Sequence, residues 1–287
     1  MTKLSFPPSA KQVYKSIATN ESYRLLTSPI RMMPNFIVIG AHRGGTTSLY
    51  LYLQQHPLII PATKKEVHFF DIDYAKGLNW YRTHFPSLLH KYYIKQTRGE
   101  DIITGEASPY YMSHPHAPKR ILEHLPQVKL IAILRNPIDR AYSHYQHSIK
   151  RKTETLSFEE AIDKEEERLQ GEEEKMIKDE NYYSFPHRAH SYLSRGIYVD
   201  QLKIWSSLFP KEQILIIKSE DLYTDPSPTF KKILNFLEVS EWEPKDYKEY
   251  NAGSYSKIEP GTRKKLNDYF EPHNQRLYEY LGTNFGW

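Results

Sequence analysis

The 287 residues include no cysteine. That absence excludes a disulfide scaffold, a thiolate zinc site and a thiol nucleophile. No apolar run approaches the roughly 18 residues that a membrane-spanning helix needs, and the first thirty residues hold no apolar block of the signal-peptide kind. The expectation from these two absences is a cytoplasmic protein without a membrane anchor. Long runs of lysine and arginine are missing too. The formal charge of +4 suits an anionic ligand without demanding nucleic acid. Hydrophobic residues make up 39% of the chain and charged residues 26%, the balance of an ordinary globular protein long enough to bury one large α/β core. There is no internal repeat.

What is present begins at residues 34–53, where three structural states follow one another. Phe36, Ile37, Val38 and Ile39 form a continuous apolar run of the kind a buried parallel strand uses. Gly40, Gly44 and Gly45 then force a sharp turn, and from Thr46 the leucines and tyrosines predict a helix of about three turns before Pro57. A glycine loop that opens onto a helix N-terminus is an anion site, because unpaired N–H donors and the helix dipole both favour negative charge. The segment resembles the phosphate loop G-x-x-x-x-G-K-[ST], with Gly40 and Gly45 in the glycine places. Thr46, however, occupies the lysine place, and the nearest cation is Arg43. A nucleoside triphosphatase needs that lysine, so phosphate binding without ATP or GTP hydrolysis is the expectation.

Further along, residues 1–33 read as a lead-in with one short helix. Glu66 and His68 alternate with Val67 and Phe69, which predicts a short extended segment with the two polar side chains on one face; a solvated edge with a stray histidine is the bland alternative. Residues 102–106 and 214–217 read as short strands, and 128–134 as a strand buried on both faces. Helices are predicted over 118–125, 138–150, 192–208, 230–237 and 263–281, the last interrupted near Pro272. Residues 151–190 form a charged insertion with a dense acidic run, Glu159 and Glu160 through Glu172, Glu173 and Glu174. A solvated helix face and a cover over an acceptor cleft are its two readings. Strands alternating with helices imply a P-loop-like central parallel β-sheet flanked by helices on both faces.

In open parallel sheets, ligands bind beyond the carboxyl ends of strands. Ile39 runs into the glycine loop and Leu134 runs into Arg135, with Ser143 two turns into the following helix. If the two strands are neighbours, a guanidinium and a hydroxyl grip a second phosphate beside the first. An arginine paired with Asp139 and a serine facing solvent is the alternative.

The pair of motifs Gly-Ala-His-Arg-Gly-Gly-Thr-Thr-Ser-Leu (40–49) and Leu-Arg-Asn-Pro-Ile-Asp-Arg-Ala-Tyr-Ser-His-Tyr (134–145) resembles the two phosphate loops of sulfotransferases that use 3′-phosphoadenosine 5′-phosphosulfate (PAPS). Residues 66–71, 76–81, 106–110, 195–198 and 218–222 are similar to the heparan-sulfate and bacterial branch of that family. The resemblance runs from Pro34 to the C-terminus, a single domain over 34–287. It implies that Arg43, Gly44, Gly45, Thr46, Thr47 and Ser48 hold the 5′-phosphosulfate, that Arg135 and Ser143 hold the 3′-phosphate, and that Lys257 closes over the nucleotide. Glu66 stands in the family's catalytic-base place, with His68 as its orienter or as the base instead. Asp71, Tyr110 and Tyr198 are implied near the acceptor. Adenosine 3′,5′-bisphosphate is the product, no metal is needed, and the acceptor is a small molecule, lipid or glycan.

Two departures from the family pattern stand out. Arg43 replaces the usual lysine of the first loop and Ala107 a lysine often found after Glu106; the second loss removes an acceptor contact. Phe69, Phe70, Trp80, Tyr110 and Tyr198 line an aromatic cleft or belong to the core. The competing functions are a P-loop nucleotide kinase or triphosphatase, disfavoured by Thr46, and a nucleotide-binding module without catalysis, disfavoured by Glu66 and His68.

Overall fold

The computed structural model describes residues 21–248 and 256–287. Five strands, β1 (Phe36–Gly40), β2 (Ile59–Pro61), β3 (Ile103–Ala107), β4 (Lys129–Leu134) and β5 (Ile214–Lys218), form a sheet in the order β2-β3-β1-β4-β5. Every pairing is parallel. The chain first builds to one side of β1 and then to the other, so the order reverses between β1 and β4, where ligand crevices form in sheets of this kind. Phe36 pairs with Lys129 and Val38 with Ile131, which sets the exits of β1 and β4 side by side.

The apolar strand runs are explained by burial on both faces. Ile37, Ile39, Leu130 and Ala132 face one core with Ile121, Trp205 and Leu277. Phe36, Val38, Ile131 and Ile133 face another with Leu49, Phe230 and Ile233. Each such side chain is worth about 1.5–3 kcal/mol when fully buried. The helices that cover the sheet are α1 (Thr46–Leu53), α2 (Leu88–Arg98), α3 (Ala117–His124), α4 (Pro137–Lys150), α5 (Tyr198–Leu208), α6 (Pro226–Leu237) and α7 (Pro260–Leu281). At the start of α4, Asn136 accepts from the N–H groups of Ile138 and Asp139 and Pro137 fills the first helical position. That cap aims α4 away from the end of β4.

Several local expectations need correction. Residues 66–71 are not extended: His68 has a φ of 58°, and the N–H groups of Val67, His68, Phe69 and Phe70 bond to side chains of Glu106, Ser108 and Tyr111 rather than to a strand. The helix predicted from 192 starts at Tyr198, because Glu165 takes the N–H groups of Leu193 and Ser194 at 2.6 and 2.8 Å. Helix α1 ends at Leu53, and α6 starts at Pro226, four residues before the expected start. Pro272 lies inside an unbroken α7; it and Asp268, whose helical bond it removes, are exposed, so water can satisfy the freed carbonyl. The last loop was expected over 251–260, and residues 251–255 of it lie outside the described residues.

The charged insertion is not merely a solvated face. Glu154, Glu165 and Glu172 are buried. Glu154 holds Arg168 at 2.6 Å and Tyr192 at 3.0 Å, and Glu172 holds Ser184 at 2.5 Å and Tyr182 at 3.0 Å. A buried carboxylate is tolerated only when donors satisfy it, and these bonds tie residues 182–194 back to residues 154–172.

Candidate active site

The turn after β1 is built from close approaches. The N–H of Ala41 donates to Ile133 at 2.9 Å and that of Gly44 to Ala41 at 2.9 Å. A Cβ on Gly44 would lie 2.5 Å from the Ile133 carbonyl, and Gly45 has a φ of 103°. Only glycine fits these places without strain. The turn delivers the first N–H groups of α1 to the floor of a cavity of about 890 Å³.

Three chain segments converge on that cavity. From the loop come Arg43, Gly45, Thr46 and Thr47; from the exit of β4 and from α4 come Arg135, Ser143, His147 and Arg151; beside them stand Lys65, Glu66 and His68. The Nε of Arg43 donates to Ser143 Oγ at 3.0 Å, leaving the serine proton to point at an anion. The two stretches expected to bind anions therefore meet. Six cationic side chains line the walls (Arg43, Lys65, Arg135, Arg151, Arg188 and Arg195) against three carboxylates, Glu66, Asp139 and Glu220. Asp139 is further committed to Arg263 at 2.5 Å.

This surplus of positive charge is felt by the neighbouring histidines. Burial and the guanidinium groups of Arg195, Arg140 and Arg43 hold His42 well below the usual histidine range. His144 is lowered by burial, His42 and Arg140, and burial with Arg43 holds His147 at about 4. Opposite them, a chain of polar groups runs from Asp71 Oδ2 to His68 Nδ1 at 2.8 Å, from His68 Nε2 to Glu66 Oε2 at 3.2 Å, and from Glu66 Oε1 to Lys65 Nζ at 2.8 Å. Burial opposes the charge on both central groups, but the bonds to Asp71 and Glu66 raise His68 to about 9. Burial likewise works against Glu66, yet His68 and Lys65 bring it down to about 2. At neutral pH the pair is an imidazolium and a carboxylate.

The polar inventory fits a polyanionic nucleotide. Ser219 Oγ and Glu220 Oε2 are buried without a partner among the described residues, and both residues line the cavity. A buried unpaired hydroxyl beside Gly45 and a carboxylate oxygen near Asn136 call for polar groups on a ligand, a donor such as a hydroxyl or amine at the carboxylate.

Comparison with known proteins agrees with this geometry. The model of the sulfotransferase domain matches residues 33–260. The chain belongs to the sulfotransferase family. The membrane-associated sulfotransferase kil1 of Dictyostelium discoideum is 28% identical over 89% of this chain and 66% of its own length. Heparan sulfate glucosamine 3-O-sulfotransferase 5 of Mus musculus is 30% identical, covering 90% of this chain and 75% of that one. The chain thus spans about two thirds to three quarters of these relatives. The crystal structure of a sulfotransferase from Alicyclobacillus acidocaldarius superposes with a TM-score of 0.67 at 32% identity, covering 88% of this chain and 98% of the other.

In this sulfotransferase the cavity wall includes Arg43, Gly45, Thr46, Thr47, Glu66, His68, Tyr110, Arg135 and Ser143. Other residues singled out in the sequence lie elsewhere. Gly44 serves the turn, and Ser48 is buried beneath it, accepting from Tyr223 at 3.3 Å. Tyr198 does not border the acceptor space. It is buried, and its hydroxyl donates to the Arg135 carbonyl at 2.8 Å, because the helix it begins packs against the end of β4. Asp71 has a fully buried side chain that orients His68 and does not meet an acceptor. Lys257 is exposed and off the cavity wall. Ala107 packs with Val38 and Ile59 in the sheet core, so its side chain does not face the acceptor. Phe69 and Phe70 are core residues as well.

Some site residues escaped the sequence reading. Glu106 is fully buried and accepts from Tyr81 at 2.8 Å, Tyr111 at 3.0 Å, Ser108 at 2.6 Å and the Val67 N–H at 3.2 Å. Four donors fill its four lone-pair directions and pin the loop that carries Glu66 and His68. Arg195 is buried, stacks over the Tyr110 ring at 4.6 Å and lines the cavity. Both lie in stretches whose family likeness was legible, at 106–110 and 195–198, but nothing in the residue types announced their burial.

Proposed function

We propose that this sulfotransferase moves the sulfuryl group of PAPS to an acceptor hydroxyl on an acidic glycan by in-line displacement. What carries the reading is the joining of the β1 loop with Arg135 and Ser143 in one cationic cavity, beside an ionised Glu66. Arg43 and the N–H groups of Thr46 and Thr47 hold the 5′ end and offset charge growing on the departing phosphate. Arg135 and Ser143 hold the 3′-phosphate, a position that distinguishes this donor from a 5′-mononucleotide. Arginine in place of the loop lysine keeps a permanent charge there. The leaving phosphate needs that charge more than it needs a proton, because its second pKa is about 6.

Glu66 takes the acceptor proton as the new S–O bond forms and the bond to the 5′-phosphate oxygen breaks. A carboxylate held near 2 is a weak base, so the transfer accompanies bond formation, once the acceptor oxygen has become acidic; its contribution is about 10²–10⁴ in rate. The raised pKa of His68 favours Glu66 over His68 as the base. His68 orients Glu66 and is itself oriented by Asp71. On the acceptor side, Arg151, Arg188 and Arg195 have no carboxylate partner among the described residues, which supports an acceptor carrying carboxylate or sulfate groups. The name of the mouse relative, a heparan sulfate enzyme, points the same way. Screening acidic and neutral glycans with labelled donor tests this. Transfer to acidic glycans that is lost in Glu66→Gln while bisphosphate binding persists supports the reading; unchanged transfer by that variant removes Glu66 from it.

A further inference from the structure

Exposed apolar side chains are concentrated on one face. Helix α2 buries a single residue, Ile94, yet it carries Leu88, Leu89, Tyr92 and Tyr93, of which the last three are 67%, 64% and 63% exposed. Their spacing places all four on one arc of the helix at about 100° per residue. Ile30, which precedes the segment paired with the start of that helix, is 45% exposed. The two stretches are clamped together: Arg31 pairs with Ser87, the Met32 N–H donates to Pro86 at 2.8 Å, and Arg31 Nη1 donates to Phe85 at 2.9 Å. Scattered exposed leucines are normal, but a contiguous rimmed patch marks an interaction surface.

The polar side of this helix is basic. Helix α2 bears His90, Lys91, Lys95 and Arg98 and no acidic residue. Glu100 and Asp101, just beyond it, offset part of that charge, Asp101 lying 2.8 Å from Lys95 and 3.9 Å from Lys91. In sequence, residues 1–20 lead into the patch with Lys3, Lys11 and Lys15 and no Asp or Glu. We propose that this face docks on an anionic lipid bilayer, with leucines and tyrosines at the headgroup level and lysines toward the phosphates. Leucine with tyrosine and a basic rim is the composition of interfacial helices, and anionic lipid supplies the charge the rim lacks. A second copy of the chain would bring basic rims together, and the lead-in offers them no acid. The face is separate from the residues that line the cavity.

The test is co-sedimentation of the full chain with vesicles of phosphatidylcholine alone or with about 30% phosphatidylserine. The expected result is binding to the anionic vesicles only, weakened by salt and reduced roughly tenfold or more by Leu89→Glu with Tyr93→Glu. Circular dichroism and binding of adenosine 3′,5′-bisphosphate should match the parent in that variant, which separates a docking effect from misfolding. A parent that ignores anionic vesicles overturns the proposal. So does binding that survives the double substitution, since it would then belong to the lead-in lysines. Sedimentation velocity showing a dimer that the same substitutions dissolve would assign the face to a second copy instead.

Discussion

Replacing Asp71 by asparagine removes the buried carboxylate that holds His68 in its charged form. The rise of His68 from 6.5 to about 9 corresponds to roughly 3 kcal/mol in favour of the imidazolium, supplied by Asp71 and Glu66 against the cost of burial. Asp71 is wholly buried and 2.8 Å away, whereas Glu66 is 40% exposed and 3.2 Å away, so Asp71 is the stronger partner. In Asp71→Asn the His68 pKa is expected to fall below that of the parent, as one partner is lost while burial still opposes the charge. NMR titration of the imidazole carbons, with His68→Gln to assign the signal, measures it. The same pair fixes how stability follows pH. A raised histidine stabilises fully below its unfolded value of 6.5, and that stability is lost as pH rises through about 9. A lowered carboxyl stabilises fully above 4.5, and Glu66 gives that up as pH falls toward about 2. Urea midpoints of the parent should therefore hold level between pH 4.5 and 6.5 and fall from pH 6.5 toward 9, and the alkaline fall should flatten in Asp71→Asn. A parent His68 titrating near 6.5, or a variant still near 9, refutes the reasoning.

Glu106→Gln leaves an amide nitrogen where two donors need an acceptor. With charged hydrogen bonds worth about 1.5–3 kcal/mol each, a loss of roughly 3 kcal/mol or more in urea unfolding is expected, along with slower transfer because the loop of Glu66 is released. An unchanged midpoint would mean that the four donors do not depend on the carboxylate. Gly45→Ala forces a side chain into a left-handed turn 2.9 Å from the Tyr223 hydroxyl. It should cost about 1–2 kcal/mol of stability and weaken bisphosphate binding measured by calorimetry; parent-like affinity would show that the turn tolerates a Cβ. Arg195→Ala should raise KM for an acidic acceptor while leaving bisphosphate affinity within about twofold. Loss of nucleotide affinity instead would move Arg195 to the donor end of the cavity.

The parts of the site legible in sequence were those in which one local run carries the whole signal. Phe36 to Gly45 states strand, turn and helix start by residue type, and Arg135, Asn136 and Pro137 state a strand exit and a helix cap. Neighbouring strands β1 and β4 then bring the two stretches together. What stayed hidden depends on partners distant in sequence. Nothing near Glu106 foretells Tyr81 and Tyr111 around it. The acidic run gave no sign that Glu154, Glu165 and Glu172 turn inward, since burial of a carboxylate depends on donors such as Arg168, Leu193 and Ser184. Tyr198 was misread because a tyrosine beside a family-like arginine and glycine fits a cleft as well as a core, and only packing against β4 separates them. The extended segment expected around Glu66 and His68 failed because side-chain acceptors hold its N–H groups in a turn.

Calorimetry of adenosine 3′,5′-bisphosphate against adenosine 5′-monophosphate tests the central claim most directly, because the two ligands differ only in the phosphate assigned to Arg135 and Ser143. The bisphosphate should bind the parent roughly a hundredfold more tightly, about 2.7 kcal/mol for a charge-assisted grip, and Arg135→Ala with Ser143→Ala should erase most of that preference. Equal affinity of the parent for both nucleotides would contradict the account.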